Sequence, residues 1–304
     1  MRRLFDESGF AGLNFVLTNR LPRRWLTRWM GRLSRIENRC FTMMAIWLWR
    51  RFADLDLREA KAPQFGSLRE CFIRELKPGA RPIDPDPALL VSPCDAIIGA
   101  HGRVERGLLL QAKGMPYTLA ELIGDPQQAS ALEGGSYVTL RLLSSMYHRF
   151  HAPASGRIER VRHFPGDTWN VNPPALARVE RLYCRNERAL LELTLTEAGP
   201  GQGDTLLLVP VAAILVAAMR LHCIDLLLHI DRQGPRAFDC HRAVERGEEL
   251  GWFEHGSTII LFTPPGYTLL PGLDSGARVR IGQALLRIRP TQNPQAARAS
   301  PPGS

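Results

Sequence analysis

The chain has 304 residues, 45% hydrophobic and 23% charged, a length and balance that suit a globular protein with a sizeable core. Its formal net charge of +9 does not point to nucleic acid: eleven arginines against Asp6, Glu7 and Glu37 put a surplus of eight between Met1 and Arg51, and no nucleic-acid motif accompanies them. The six cysteines are scattered without a C-x-x-C pair, and His148 and His151 have no cysteine or carboxylate cluster beside them, so neither a disulfide framework nor a zinc site is expected. The N-terminus shows no signal-peptide pattern, which predicts a reducing, cytoplasmic setting.

From Leu21 the apolar residues Leu21, Trp25, Trp29, Leu33, Ile36, Cys40, Met44 and Trp47 recur every three or four positions, the spacing of one helix face, and Pro22 suits a first turn. Arg24, Arg28, Arg32, Arg35 and Arg39 keep the same rhythm one position away, and Trp25, Trp29, Trp47 and Trp49 are four of the six tryptophans. Interfacial rings beside basic side chains predict a helix lying on an anionic membrane, with Trp25, Arg28, Trp29, Arg32, Trp47 and Trp49 in contact with it. The same stripe would also serve as packing against the protein's own core. Phe41 to Trp49 is far shorter than the ~20 apolar residues a spanning helix needs.

Beyond this region, Ser67 to Glu75 and Thr118 to Ile123 are the best helix candidates, with Thr118 as an N-cap. Pro and Gly punctuate Lys77 to Pro87, a linker leading into the next unit. Alternating runs at Ser136–Leu142, Gly156–Val161 and Ala189–Leu195, and apolar runs at Thr205–Met219 and Ile224–Ile230, predict buried strands. Gly156–Asn172 and Gly266–Ile288 each place a Gly-containing turn between short strands and are expected to pair as halves of a small sandwich or barrel. After Arg289 the Pro-, Ala- and Ser-rich tail has nothing to bury and is expected to be disordered. The fold class expected is α+β: a basic amphipathic helical region over 1–62, a β-rich, mainly antiparallel domain over 63–289, and a tail over 290–304.

A reactive serine is suggested at Glu254-His-Gly-Ser-Thr258, although not a hydrolase elbow, since Ile259 stands where G-x-S-x-G needs glycine and the next residues predict a strand. A Gly-Ser bond entering a strand instead lets the Ser257 hydroxyl attack the carbonyl before it, because Gly256 has no Cβ to obstruct a strained approach. Alone, such a triplet is far more often just a turn before a strand, and the reactive reading needs support from elsewhere. A serine attacking an amide needs a base, usually a histidine oriented by a carboxylate, and Asp95 and His151 supply those types.

Five stretches together resemble the pyruvoyl-dependent phosphatidylserine decarboxylases, of the prokaryotic type I: Phe72-Ile-Arg-Glu-Leu-Lys-Pro-Gly-Ala-Arg-Pro-Ile83, Ser92-Pro-Cys-Asp-Ala96, Gln111-Ala-Lys-Gly114, Tyr147-His-Arg-Phe-His151 and Glu249-Leu-Gly-Trp-Phe-Glu-His-Gly-Ser-Thr258. The likeness runs from about Leu13 to about Ile288. The family usually carries Leu or Gly at position 255 and Gly at position 96; neither departure removes a reacting group.

The resemblance implies a charge relay of Asp95, His151 and Ser257, and self-cleavage between Gly256 and Ser257 into a β chain (1–256) and an α chain (257–304) that stay associated. It implies that Ser257 becomes a covalent pyruvoyl cofactor, which forms a Schiff base with phosphatidylserine and releases CO2 to leave phosphatidylethanolamine. His148, an imidazole expected to titrate near neutral pH, would return the proton to the substrate carbon. Family members are known as dimers, so a homodimer at the cytoplasmic face of the cell membrane is implied too, with no metal and no nucleic acid. Two other readings compete: a pyruvoyl decarboxylase of a soluble amino acid, which leaves the N-terminus without a task, and a non-enzymatic membrane adaptor, which leaves Tyr147–His151 and Glu254–Thr258 as turns.

Overall fold

The computed structural model describes residues 23–112, 115–214, 218–224, 226–229, 234, 236–254 and 257–288. Of the positions singled out above, Leu21, Pro22, Lys113, Gly114, His255, Gly256 and the tail 290–304 lie outside the described residues.

Runs of β-branched and apolar residues assemble an eight-stranded sheet in which every neighbouring pair is antiparallel. Its order is Arg236–Val244, Gly156–Phe164, Arg188–Leu195, Thr205–Ala212, Ser257–Thr263, Ser136–Leu142, Ala96–Arg103 and Arg278–Val279. The Ser257–Thr263 strand, flanked on both sides, has all seven residues buried, which is why its centre, Ile259 to Phe262, reads as an unbroken apolar run rather than an alternation. A second sheet orders Leu226–His229, Ala218–Leu221, Glu249–Phe253 and Arg149–His151. The chain thus leaves the second sheet at Phe253 and enters the middle of the first at Ser257. Leu89–Val91, Ala284–Ile288 and Tyr267–Leu269 form a third sheet.

These partners differ from the expected pairing of Gly156–Asn172 with Gly266–Ile288. Gly156–Phe164 lies between Arg188–Leu195 and Arg236–Val244, while the later segment closes the small sheet and the far edge of the large one. Similar turn spacing marks two hairpin-like segments without saying whose edges they share.

The predicted N-terminal stripe is split between two helices, Arg23–Ser34 and Arg39–Phe52, because Asn38 adopts an extended conformation and its side chain caps the second helix, accepting from the Phe41 N–H at 3.0 Å. The first helix turns its small residues Thr27, Gly31 and Ser34 inward. Its large apolar residues face out: Trp25 and Trp29 are 57% and 53% exposed and stack on each other, and Trp47 on the second helix is 67% exposed. Trp49 differs from the other three, being half-buried with its ring stacked on Phe72 at 4.3 Å. Among the described residues, no helix is long and apolar enough to cross a membrane.

Ser67 caps Leu68–Phe72 and Thr118 caps Leu119–Ile123, the two later helices expected, although the first ends three residues before Glu75. Three further short helices, Pro126–Ala131, Pro173–Leu176 and Leu182–Arg185, are single turns too brief to show a period. Residues 77–87 run without helix or strand, tied to the third sheet by the Asp84 N–H to the Gly282 carbonyl at 2.9 Å.

Gly251 sits where the Glu249–Phe253 strand is squeezed between its neighbours: a Cβ there would lie 2.0 Å from the Arg220 carbonyl oxygen and 3.0 Å from the Phe150 ring. Gly251→Ala should therefore destabilise the fold by on the order of 1–3 kcal/mol, read as a thermal midpoint lowered by roughly 2–4 °C per kcal/mol in a circular dichroism melt. A midpoint equal to the wild type would contradict the packing described.

Candidate active site

Ser257 is the first residue of its strand, registered against Leu142 on one side and Ala212 on the other, and is fully buried. Among the described residues its Oγ has no hydrogen-bond partner. Leaving a buried hydroxyl unpaired costs about 1–3 kcal/mol, so such an atom in a well-formed sheet calls for a reason.

Two more unpaired polar atoms belong to the histidines. His148 is fully buried beside the Phe72 ring, and its Nε2 lies 3.0 Å from the carbonyl of Ser144, two residues beyond the Leu142 that faces Ser257. A carbonyl can only accept, so Nε2 carries the proton and Nδ1, which has no partner among the described residues, holds a lone pair. His151 is the mirror case: Nδ1 lies 2.8 Å from the Gly247 carbonyl and therefore donates, leaving the buried Nε2 as the lone-pair nitrogen. His148 precedes the short Arg149–His151 strand rather than lying in it, so strand alternation does not force the two side chains to opposite faces. The Phe253 N–H donates to the His148 carbonyl at 3.0 Å, which ties this turn to the chain three residues before Gly256.

Burial lowers the affinity of both imidazoles for protons. His148 falls to about 4, far from the near-neutral titration expected of a resting donor, and the hydrogen bond to Ser144 only partly offsets the desolvation. His151 is likewise lowered, by desolvation first, against the Gly247 carbonyl and the carboxylates of Glu249 and Asp95, which favour its charged form. Both rings are neutral bases at neutral pH.

Asp95 does not hydrogen-bond to His151. Its carboxylate is held by the fork of Arg81, with Nε at 2.9 Å and Nη2 at 2.6 Å, and accepts the Ile281 N–H at 3.0 Å. Arg81 also reaches Glu59 at 2.8 Å. The two candidate relay residues are nonetheless neighbours through the main chain, since the His151 N–H donates to the Pro93 carbonyl at 2.8 Å. The ring orientation expected from Asp95 comes instead from Gly247.

Several groups that shape the site carry no sequence signal of their own. Glu249 is the cross-strand partner of His151, bonded to His222 at 2.7 Å and Arg149 at 2.9 Å. Although burial pushes its carboxyl up, those two partners hold it below the usual range. Arg81 and Glu249 stand inside motifs quoted above, but nothing in the spacing marks them; His222 and Gly247 lie outside them. A cavity of about 280 Å³ is lined by Leu142, the cross-strand partner of Ser257, with Leu143, Ser144 and Ala213, and by Met30 of the first helix and Phe72. Among the described residues, no group of three or more His, Cys, Asp or Glu is placed to hold a metal ion.

Residues 68–287 match the family model described as phosphatidylserine decarboxylase. The chain is 38% identical over 275 residues to the phosphatidylserine decarboxylase proenzyme of Anaeromyxobacter sp. (strain K), covering 87% of this chain and 94% of that one. It is 32% identical to the proenzyme of Brevibacillus brevis (88% and 95% covered) and 35% identical to that of Xanthomonas campestris pv. campestris strain 8004 (89% and 96% covered). These matches lend no support to a non-enzymatic adaptor or to a decarboxylase of a soluble amino acid. On the family model and on full-length similarity to several proenzymes, this chain belongs to the phosphatidylserine decarboxylase family of carboxy-lyases.

Proposed function

We propose that the chain, as a phosphatidylserine decarboxylase, matures by cutting itself between Gly256 and Ser257 and then works at a membrane surface. The observation that carries this reading is the Ser257 hydroxyl, fully buried and unpaired at the entry of the central strand; His148 and His151, on the turn and strand tied to the chain leading up to it, each keep one buried nitrogen unpaired among the described residues. The unpaired Oγ at the strand entry also fits a pyruvoyl group made from Ser257, since that position ends as a chain terminus whose cross-strand partner, Leu142, lines a cavity.

His151 Nε2 takes the Ser257 proton, and Oγ attacks the Gly256 carbonyl carbon. The amide C–N bond breaks, its nitrogen takes the proton back, and an ester remains. Removal of the residue 257 Cα proton then breaks the Cβ–Oγ bond and frees Gly256 as a carboxylate; water replaces the resulting enamine nitrogen, which leaves as ammonia. The pyruvoyl group so made supplies an electron sink for loss of carbon dioxide from a bound amino acid headgroup. Asp95 and Glu249 place negative charge near His151 and favour its transient protonation. His148, neutral at rest, uses Nδ1 to take a proton from the arriving substrate ammonium and returns it to the carbon that carbon dioxide leaves.

The outward tryptophans of both N-terminal helices, flanked by exposed Arg28 and Arg32, support docking on an anionic surface, and Met30 of the first helix lines the same cavity as Leu142, the cross-strand partner of Ser257. Trp49, stacked on Phe72, braces the second helix rather than entering lipid.

Gel analysis beside a carbon dioxide release assay tests the assignments. Ser257→Ala and His151→Ala should remain one inactive chain, whereas His148→Ala should be cut yet turn over at least ~100-fold more slowly, the usual scale for losing a general acid–base group. A fully cut His151→Ala, or a matured His148→Ala with wild-type turnover, would remove the role assigned to that residue.

The buried histidines also set a pH dependence. Their folded-state values lie below those of the unfolded chain, so the unfolded chain binds more protons between pH 6.5 and, for His148, about 4. Stability complete above pH 6.5 is therefore lost as pH falls through that window. Urea unfolding of the Ser257→Ala chain should show that loss, and adding His148→Gln should flatten it; an equal loss in both would mean that another group titrates.

Reversing Arg28 and Arg32 to Glu should weaken sedimentation with phosphatidylglycerol vesicles, since each basic residue near such a surface adds about 1 kcal/mol. The deficit should shrink at high salt. Equal binding by the reversed variant would contradict the docking face.

A further inference from the structure

Glu254 stands two residues before the proposed scissile glycine, and its side chain is 1% exposed. Its carboxylate is gripped from two directions: Arg69 Nε of the Leu68–Phe72 helix donates to Oε1 at 2.7 Å, and Arg35 Nη2, just past the end of the Arg23–Ser34 helix, donates to Oε2 at 3.1 Å. No part of the cleavage chemistry above uses these groups. A buried carboxylate with each oxygen on a different guanidinium is fixed in position far more firmly than a surface ion pair, and removing a partner leaves a buried charge uncompensated.

The clamp completes a pattern of anchors around the cleavage site. Upstream, the Phe253 N–H is held by the His148 carbonyl and the Glu254 side chain by the two arginines. Downstream, Ser257 is locked between Leu142 and Ala212. Only residues 255 and 256 lie between these anchors. Attack of Oγ on the preceding carbonyl demands an uncommon backbone geometry, and such geometry persists only where its surroundings over-determine it. Fixing both ends of a two-residue span is a direct way to hold nucleophile and carbonyl together and to gain the rate advantage of a near-attack arrangement.

We propose that Arg35 and Arg69, acting through Glu254, are positioning residues for self-cleavage, and that they make maturation depend on the docked arrangement of the N-terminal helices. This rests on the reading of Gly256–Ser257 as the cleaved bond. Arg35 lies in the helical region whose outer face carries the exposed tryptophans, and Arg69 on the short Leu68–Phe72 helix that packs against it, so displacement of that region from the β domain withdraws the Arg35 half of the clamp and slows the cut.

The test is the first-order rate at which freshly synthesised full-length precursor converts to two chains, followed on gels. Arg35→Ala combined with Arg69→Ala, and separately Glu254→Gln, should slow conversion at least tenfold, and Arg69→Lys should recover much of the rate lost by Arg69→Ala. Thermal midpoints of the same substitutions in the uncut Ser257→Ala chain separate positioning from folding. The double arginine variant should lose midpoint because it leaves Glu254 uncompensated, and Arg69→Lys should recover the loss of Arg69→Ala. Glu254→Gln, which leaves only two part-exposed guanidiniums, should stay near Ser257→Ala itself while its conversion is still slowed. Conversion of the double variant at the wild-type rate, with Ser257→Ala still whole, would overturn the clamp while leaving the cleavage assignment standing. A large fall in midpoint without rescue by lysine would also overturn it, reducing the pair to fold stabilisation. Cleavage of Ser257→Ala at the same bond would instead sink the underlying reading.

Discussion

The structure depends on one constraint: a serine hydroxyl is buried at the first position of a strand that has neighbours on both sides. Every other residue of Ser257–Thr263 except Thr258 is apolar or reaches a partner, as Thr263 does with Ser136; Thr258 shares the defect, its Oγ1 also unpaired among the described residues. A sheet this regular could accept alanine or valine at position 257 at no loss of pairing. A buried hydroxyl kept there without a partner costs stability, a pattern typical of functional sites. The chain leaves one sheet at Phe253 and enters another at Ser257.

Around this serine the polar groups are sorted by charge. The carboxylates are matched to cations, Asp95 to Arg81, Glu249 to Arg149, and Glu254 to Arg35 and Arg69, with His222 hydrogen-bonded to Glu249 as well. The two histidines are instead tied to backbone carbonyls, which fix the tautomer without supplying charge. Each ring therefore keeps one basic nitrogen directed away from its anchor, and burial keeps it unprotonated. A carboxylate bonded directly to His151 would raise its proton affinity and weaken the case for a base that is free at neutral pH; the Asp95–Arg81 pair acts at a distance, as a field.

Much of the strand content was legible in the sequence, because strands buried on both faces, such as Thr205–Ala212 and Ser257–Thr263, betray themselves by continuous apolar runs. Their pairing was not, as the misassigned Gly156–Asn172 and Gly266–Ile288 segments show: turn chemistry is local and register is not. The N-terminal stripe was read correctly as an apolar periodicity but wrongly as one helix, since Asn38 ends one element and caps the next while leaving the spacing nearly undisturbed. In the site, Ser257, His148 and His151 carried recognisable motifs. Arg81 and Glu254 stand inside quoted motifs and Gly247 outside them, but no spacing marks what they do, because their roles lie in contacts between segments 14 to 219 residues apart.

Met30 of the first helix, on which Trp25 and Trp29 are exposed, lines the same cavity as Leu142, the cross-strand partner of Ser257. The chain is proposed to make its own electrophile at position 257. Intact-mass measurement of the purified wild-type protein tests this most directly. The account predicts two chains, residues 1–256 and 257–304, the second lighter by one ammonia than the same chain beginning with serine. A single uncut chain, or a second fragment that begins with a free serine, would contradict it.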